Sequence, residues 1–169
     1  MRDQAANILG YAFRDERFLR EAMTHASIAG HRLESNERME FLGDAILGYV
    51  VCEYLFRHFP DLLEGELTKI KSAVVSRKSC AQISEKLNLA QMLNLGKGMS
   101  GKQQLPPSVS AAVLEAIIAA IYLDGGMEPA QKFILEHMTP FIVEAAESAH
   151  QQNFKSVLQQ YAQKHMPAN

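Results

Sequence analysis

The stretch NERMEFLGDAILGY, residues 36–49, decides how this chain is read. Glu37, Glu40 and Asp44 stand at i, i+3 and i+7, a spacing that stacks three acids on one face of a helix. Around them Met39, Phe41, Leu42, Ile46, Leu47, Tyr49 and Val50 need burial. So apolar a helix with carboxylates along one side calls for a positive charge opposite them. Asn36 is the expected N-cap, with Glu37 and Glu40 well placed at the positive end of the helix dipole. Gly43 costs about 1 kcal/mol relative to alanine in mid-helix, so a helix or ligand is expected to approach closely there.

The same difficulty recurs in PPSVSAAVLEAIIAAIYLD, residues 106–124, which is apolar nearly all round, as a core helix is. Glu115 sits in its middle. Left unpaired there it would cost on the order of several kcal/mol, so a shifted pKa, a cation or a metal must neutralise it. If the two helices pack together, Glu40, Asp44 and Glu115 make an all-oxygen cluster of the kind Mg²⁺ or Mn²⁺ prefers. A metal held by a few carboxylates acidifies bound water and draws in phosphate oxygens, which is the chemistry of phosphodiester hydrolysis. The spacing alone equally allows a solvated polar stripe, with Glu115 paired to a lysine or arginine. A ferritin-like di-metal bundle needs Glu-x-x-His on each of two helices, and the chain offers only Glu147 with His150.

With 169 residues, 47% of them hydrophobic, the chain is long enough for one substantial core. Strand-like alternation is absent, and helices are predicted near 15–25, 36–58, 65–77, 78–88, 107–124, 128–147 and 153–164, which makes the class all-α. Pro60 and Gly65 mark a loop, and Pro106 and Pro107 suit the first turn of a helix. Cys52 and Cys80 lie in apolar helical patterns and are expected to be buried thiols in a reducing cytoplasm. No signal-peptide pattern opens the chain and no apolar run reaches the ~20 residues of a membrane span, so no membrane association is expected.

The net charge of −2 hides a basic central third: Lys69, Lys71, Arg77, Lys78, Lys86, Lys97 and Lys102 against Glu85 alone. GKGMSGK, residues 96–102, lacks the spacing of a phosphate loop and follows no strand, so Lys97 and Lys102 read as surface cations. His25 reads as a capped or packed histidine, because the inferred metal prefers oxygen, and the eight methionines read as core fillers.

Taken together, NERMEFLGDAIL resembles the signature stretch of the ribonuclease III family. LGYAFRDERFLREAMTHAS (9–27) is similar to that family's opening helices, EGELTKIKSAVVS (64–76) to its next block, and LEAIIAAIYLDGG (114–126) to its second acidic helix. The resemblance implies an all-α endonuclease domain over residues 1–150. Such a domain dimerises and cuts both strands of double-stranded RNA, leaving 5′-phosphate and 3′-hydroxyl ends. By position it makes Glu40, Asp44 and Glu115 metal ligands, Asp44 and Glu115 also catalytic, and Glu37 and Glu64 acids of the same cleft. Lys69, Lys71, Ser72, Ser76 and Arg77 are the candidate RNA contacts, and Phe41 the candidate dimer contact. The tail NFKSVLQQYAQ, in residues 151–169, is similar to the first helix of a double-stranded RNA-binding domain. One departure stands out: the family pattern A-D-x-x-E-A reads A-A-V-L-E-A here, with Ala112 where an aspartate ligand is expected. Residues i and i+3 share a helix face, so that aspartate would have pointed with Glu115. Its loss implies reduced or abolished hydrolysis, or a non-catalytic RNA-binding homodimer.

Overall fold

The computed structural model describes residues 2–94 and 105–165, with side chains for 5–94 and 105–151. Along them run α1 (Arg2–Leu9), α2 (Glu16–Ala22), α3 (Glu37–His58), α4 (Glu64–Val74), α5 (Arg77–Lys86), α6 (Pro107–Gly125) and α7 (Met127–His165). Single turns of 3₁₀ helix at Arg32–Glu34 and Leu89–Gln91 join them. The all-α class stands: among the described residues the β-pairing is a single isolated bridge, Thr24 with Asn94.

Helix ends follow local chemistry. Asp15 caps α2 by accepting from the Arg17 N–H, and Ser76 caps α5 by accepting from the Ser79 N–H. Pro107 opens α6, where its missing N–H costs nothing. Gly126, at φ 86°, ends α6 in a conformation that side chains resist and turns the chain into α7.

Helix α6 is the axis of the fold, packed against α2, α3, α5 and α7. Ile117, Ile118 and Ile121 are each at most 1% exposed. Each such side chain contributes roughly 1.5–3 kcal/mol by leaving water. Contrary to expectation, α6 is by length and composition a helix that could cross a membrane, but here its sides are covered by other helices. Asp124 at its end staples the N-terminal segment, accepting from the Tyr11 hydroxyl at 2.7 Å and from the Arg14 and Asp15 N–H groups at 2.8 Å.

Several local expectations are corrected. Helix α1 had no counterpart in the periodicity. The helices read at 128–147 and 153–164 are one, continuing through Pro140. Gly65 lies within α4 rather than in a loop. Asn36 occupies the N-cap position but does not cap; it is 3% exposed, and its side-chain amide donates to the Ala22 carbonyl at 3.3 Å, tying α3 to α2. Cys80 is buried as expected, whereas Cys52 is exposed, because it lies on a side of α3 left uncovered among the described residues. The GKGMSGK segment, with Lys97 and Lys102, lies outside the described residues.

Candidate active site

The site is built at the crossing of α3 and α6. A side-chain carbon placed on Gly43 would overlap the Glu115 carbonyl and lie 3.1 Å from the Glu115 Cα, so the two backbones touch. The expected close approach therefore exists, and the approaching residue is Glu115 itself. Glu40 and Asp44, three residues before Gly43 and one after it, flank the point where Glu115 arrives. Helix α5 adds a third wall through Cys80, which is 0% exposed. Glu40 and Glu115 are half-buried and Asp44 is exposed, so the cluster opens to solvent on the Asp44 side.

Electrostatics show that these groups face one another. Burial, then the charges of Asp44 and Glu40, push the Glu115 carboxyl up to about 7. Burial also raises Glu40, helped by Glu37 and Asp44. The Cys80 thiol is pushed up to about 12 by burial, then by Glu115 and Asp44. Arg77, at the start of α5, opposes the rise at both Glu40 and Glu115, so it is the cation facing the cluster. It makes no ion pair with them, and none of the three carboxylates has a hydrogen-bond or ion-pair partner among the described residues.

Neighbouring negative charge thus raises Glu40 and Glu115, yet no group of three or more His, Cys, Asp or Glu side chains among the described residues is drawn tightly enough to hold a metal ion alone. This donor set fits a hydrated Mg²⁺, which keeps several waters and needs only one or two carboxylates, better than it fits a closed protein cage. Ala112, one turn before Glu115 on α6 and half-buried, contributes a methyl group where another oxygen would complete the set.

The other candidate residues divide. Glu37 turns to Arg32, whose guanidinium donates at 2.6 and 3.1 Å and holds the Glu37 carboxyl below its usual range. Glu64, at the first turn of α4, accepts from Thr68 Oγ1 at 2.7 Å on its own helix. Ser76 Oγ is engaged in capping α5 and in a 2.9 Å contact with Ser79 Oγ. Lys71 is half-buried, with its Cε 3.9 Å from where a side chain on Gly48 would begin, which places its stem on α3. Lys69, Ser72 and Arg77 are exposed. Phe41, the candidate dimer contact, is 80% exposed. His25 is capped as expected, its Nδ1 accepting from the Ser27 N–H at 3.1 Å. Sequence reasoning missed that Cys80 and Arg77 border the acids. Both sit on a helix over thirty residues from either acidic motif, and no local pattern reports that contact.

Comparison with known proteins meets this geometry. The family model described as ribonuclease-III-like matches residues 15–142. "Ribonuclease 3" of Rhodopirellula baltica is 49% identical over 166 residues, spanning 98% of this chain and 62% of that protein. "Ribonuclease 3" of Symbiobacterium thermophilum is 40% identical, over 94% of this chain and 68% of that one. A crystallised ribonuclease III nuclease domain from Campylobacter jejuni, described for flexibility in its dimer-forming region, superposes with a TM-score of 0.74. It is 40% identical, and the match covers 80% of this chain and 94% of that one. The chain spans less than two thirds of the Rhodopirellula relative. Its two acidic helices, their glycine-mediated crossing and these matches make one consistent set: the chain belongs to the ribonuclease-III-like family.

Proposed function

We propose that this chain is the nuclease part of a divalent-metal-dependent endonuclease that hydrolyses double-stranded RNA to 5′-phosphate and 3′-hydroxyl ends, with activity reduced or lost through Ala112. The observation that carries the reading is the contact of Gly43 with Glu115, which brings three otherwise unpaired carboxylates to one solvent-facing point. When bound, Mg²⁺, or Mn²⁺ in its place, supplies an acidified water and charge to offset the phosphate oxygens. Asp44 and Glu115 orient and hold by their oxygens, and Glu40 adds negative charge behind them. Arg77 places positive charge where a scissile phosphate would enter beside the acids. Lys69, Lys71 and Ser72 are the remaining candidate contacts for backbone phosphates and 2′-hydroxyls, and such binding weakens steeply with salt.

Phe41 and the apolar surface beside it support a two-fold homodimer. The free thiols fit a reducing cytoplasm. The tail from residue 151 is read as leading into a double-stranded RNA-binding domain, but up to His165 it continues α7 without the break that a linker would make.

A second reading, a non-catalytic RNA-binding scaffold, is favoured by one observation: residue 112 offers the cluster no oxygen. Cleavage of a double-stranded RNA with Mg²⁺ and with Mn²⁺ separates the two. Ala112→Asp is expected to raise the rate on the order of 10–100-fold, the effect of restoring metal affinity, and Glu115→Gln to abolish cleavage. An unchanged rate in Ala112→Asp removes the role given to that position. RNA binding without cleavage in both forms favours the scaffold.

A further inference from the structure

A second concave feature lies away from the acids. A cleft of about 710 Å³ opens between α4, the start of α5 and the second half of α7. On α5, Lys78 and Gln82 line it. Each lies two residues from Cys80, about 200° of helical turn, so the cleft is on the side of α5 opposite the carboxylate cluster. Its volume is that of a small-molecule site.

The chemistry of its walls is mixed. Lys69 and Lys78 line it from α4 and α5, Glu144 lines it from α7, and Glu66, which accepts from the Leu63 N–H at 3.0 Å, also lines it from α4. Between them lie Ile70, which is 1% exposed, and the half-buried ring of Phe141. Here Lys69, Lys78, Gln82 and Glu144 form no ion pair or hydrogen bond with described residues. Lysine donors on the α4 and α5 walls, the Phe141 ring and the Glu144 acceptor on the α7 wall match a ligand that combines an anion, a flat ring and N–H donors.

We propose that this cleft is a nucleotide subsite that takes one nucleoside 5′-phosphate unit, free or within an RNA strand. The phosphate lies against Lys69 and Lys78, as ammonium groups bind phosphate oxygens. The base rests on the half-buried ring of Phe141, and its N–H groups face the Glu144 carboxylate. Guanine suits that acceptor best, because its adjacent ring and exocyclic N–H groups donate together to one carboxylate.

Isothermal titration with GMP in EDTA tests this independently of cleavage and of any metal at the acids. Saturable binding is expected, weakened about ten-fold or more in the Lys69→Ala/Lys78→Ala double variant, the loss of one charge-assisted hydrogen bond or more. GMP should bind more tightly than AMP, and Glu144→Gln should erase that preference. These side chains are exposed, and thermal melts verify that the variants fold. Displacement of GMP by an RNA duplex assigns the subsite to the substrate strand, and undiminished GMP binding assigns it to a free nucleotide. The proposal is overturned if millimolar GMP gives no saturable heat, if the double variant binds as the parent does, or if inorganic phosphate binds as tightly as GMP.

Discussion

Two sides of α3 are equally apolar in composition and meet opposite fates. The side with Gly43, Ile46, Leu47 and Val50 is shut against the rest of the fold, so closely at Gly43 that backbone touches backbone. The side with Phe41, Tyr49 and Phe56 stays 80%, 54% and 76% exposed, and Cys52 is exposed with it. Both surfaces gain by leaving water, but among the described residues only the first has a partner. A contiguous apolar stripe left bare among the described residues is the kind of surface on which interaction sites are found. The contrast teaches that hydrophobicity says a surface will be buried, while geometry decides whether its own chain does the burying.

The comparison breaks most sharply at the glycines. Gly43→Ala is expected to destabilise by about 3 kcal/mol or more, because the methyl would have to displace the α6 backbone rather than a flexible side chain. On the same helix, a side chain on Gly48 meets nothing closer than Lys71 Cε at 3.9 Å. Gly48→Ala should therefore be neutral or stabilise by about 0.4–1 kcal/mol. Urea denaturation of the pair checks both signs. Equal effects would show that the crossing is looser than described.

On the bare side, Phe41→Ala should weaken self-association by about 2 kcal/mol, roughly thirty-fold in dissociation constant, if the ring anchors the dimer. Light scattering against concentration measures it, and a parent chain that is monomeric throughout removes the dimer reading.

A smaller effect probes the charge trapped at the closed side. Because Glu115 titrates near 7 in the folded chain and near its ordinary 4.5 when unfolded, the folded state holds the extra proton between those values. Metal-free stability should therefore fall as pH rises through that window, having been complete below it. Glu115→Gln should lack this fall and be more stable at pH 8 by roughly 1 kcal/mol, water at the half-buried carboxyl screening the rest. Thermal melts against pH measure the difference, and added Mg²⁺ or Mn²⁺ should narrow it by stabilising the parent alone. Parallel pH curves for the two proteins would show that the carboxyl is not strained.

Much of this was legible before any coordinates. The three-acid spacing from Glu37 to Asp44, the core character of 107–124, the proline start of α6 and the need for a close approach at Gly43 are all local: each follows from helical periodicity or from one residue's conformational cost. What local reasoning misplaced is equally instructive. Glu37 shares a helix face with Glu40, yet its carboxylate is taken by Arg32 from the preceding turn. Asn36 sits at a cap position, yet spends its amide on α2. Cys52 follows the same apolar pattern as its neighbours and still faces solvent.

By itself, then, the amino-acid order determined which residues form helices, which acids share a face and where a backbone must come close, since these depend on contacts within a few residues along the chain. Only tertiary structure decided that Glu115 is the group arriving at Gly43, that Arg77 and Cys80 border the acids, and which side of α3 remains bare. Those outcomes depend on which helices meet and at what angle, and packing residues distant in sequence sets that geometry cooperatively.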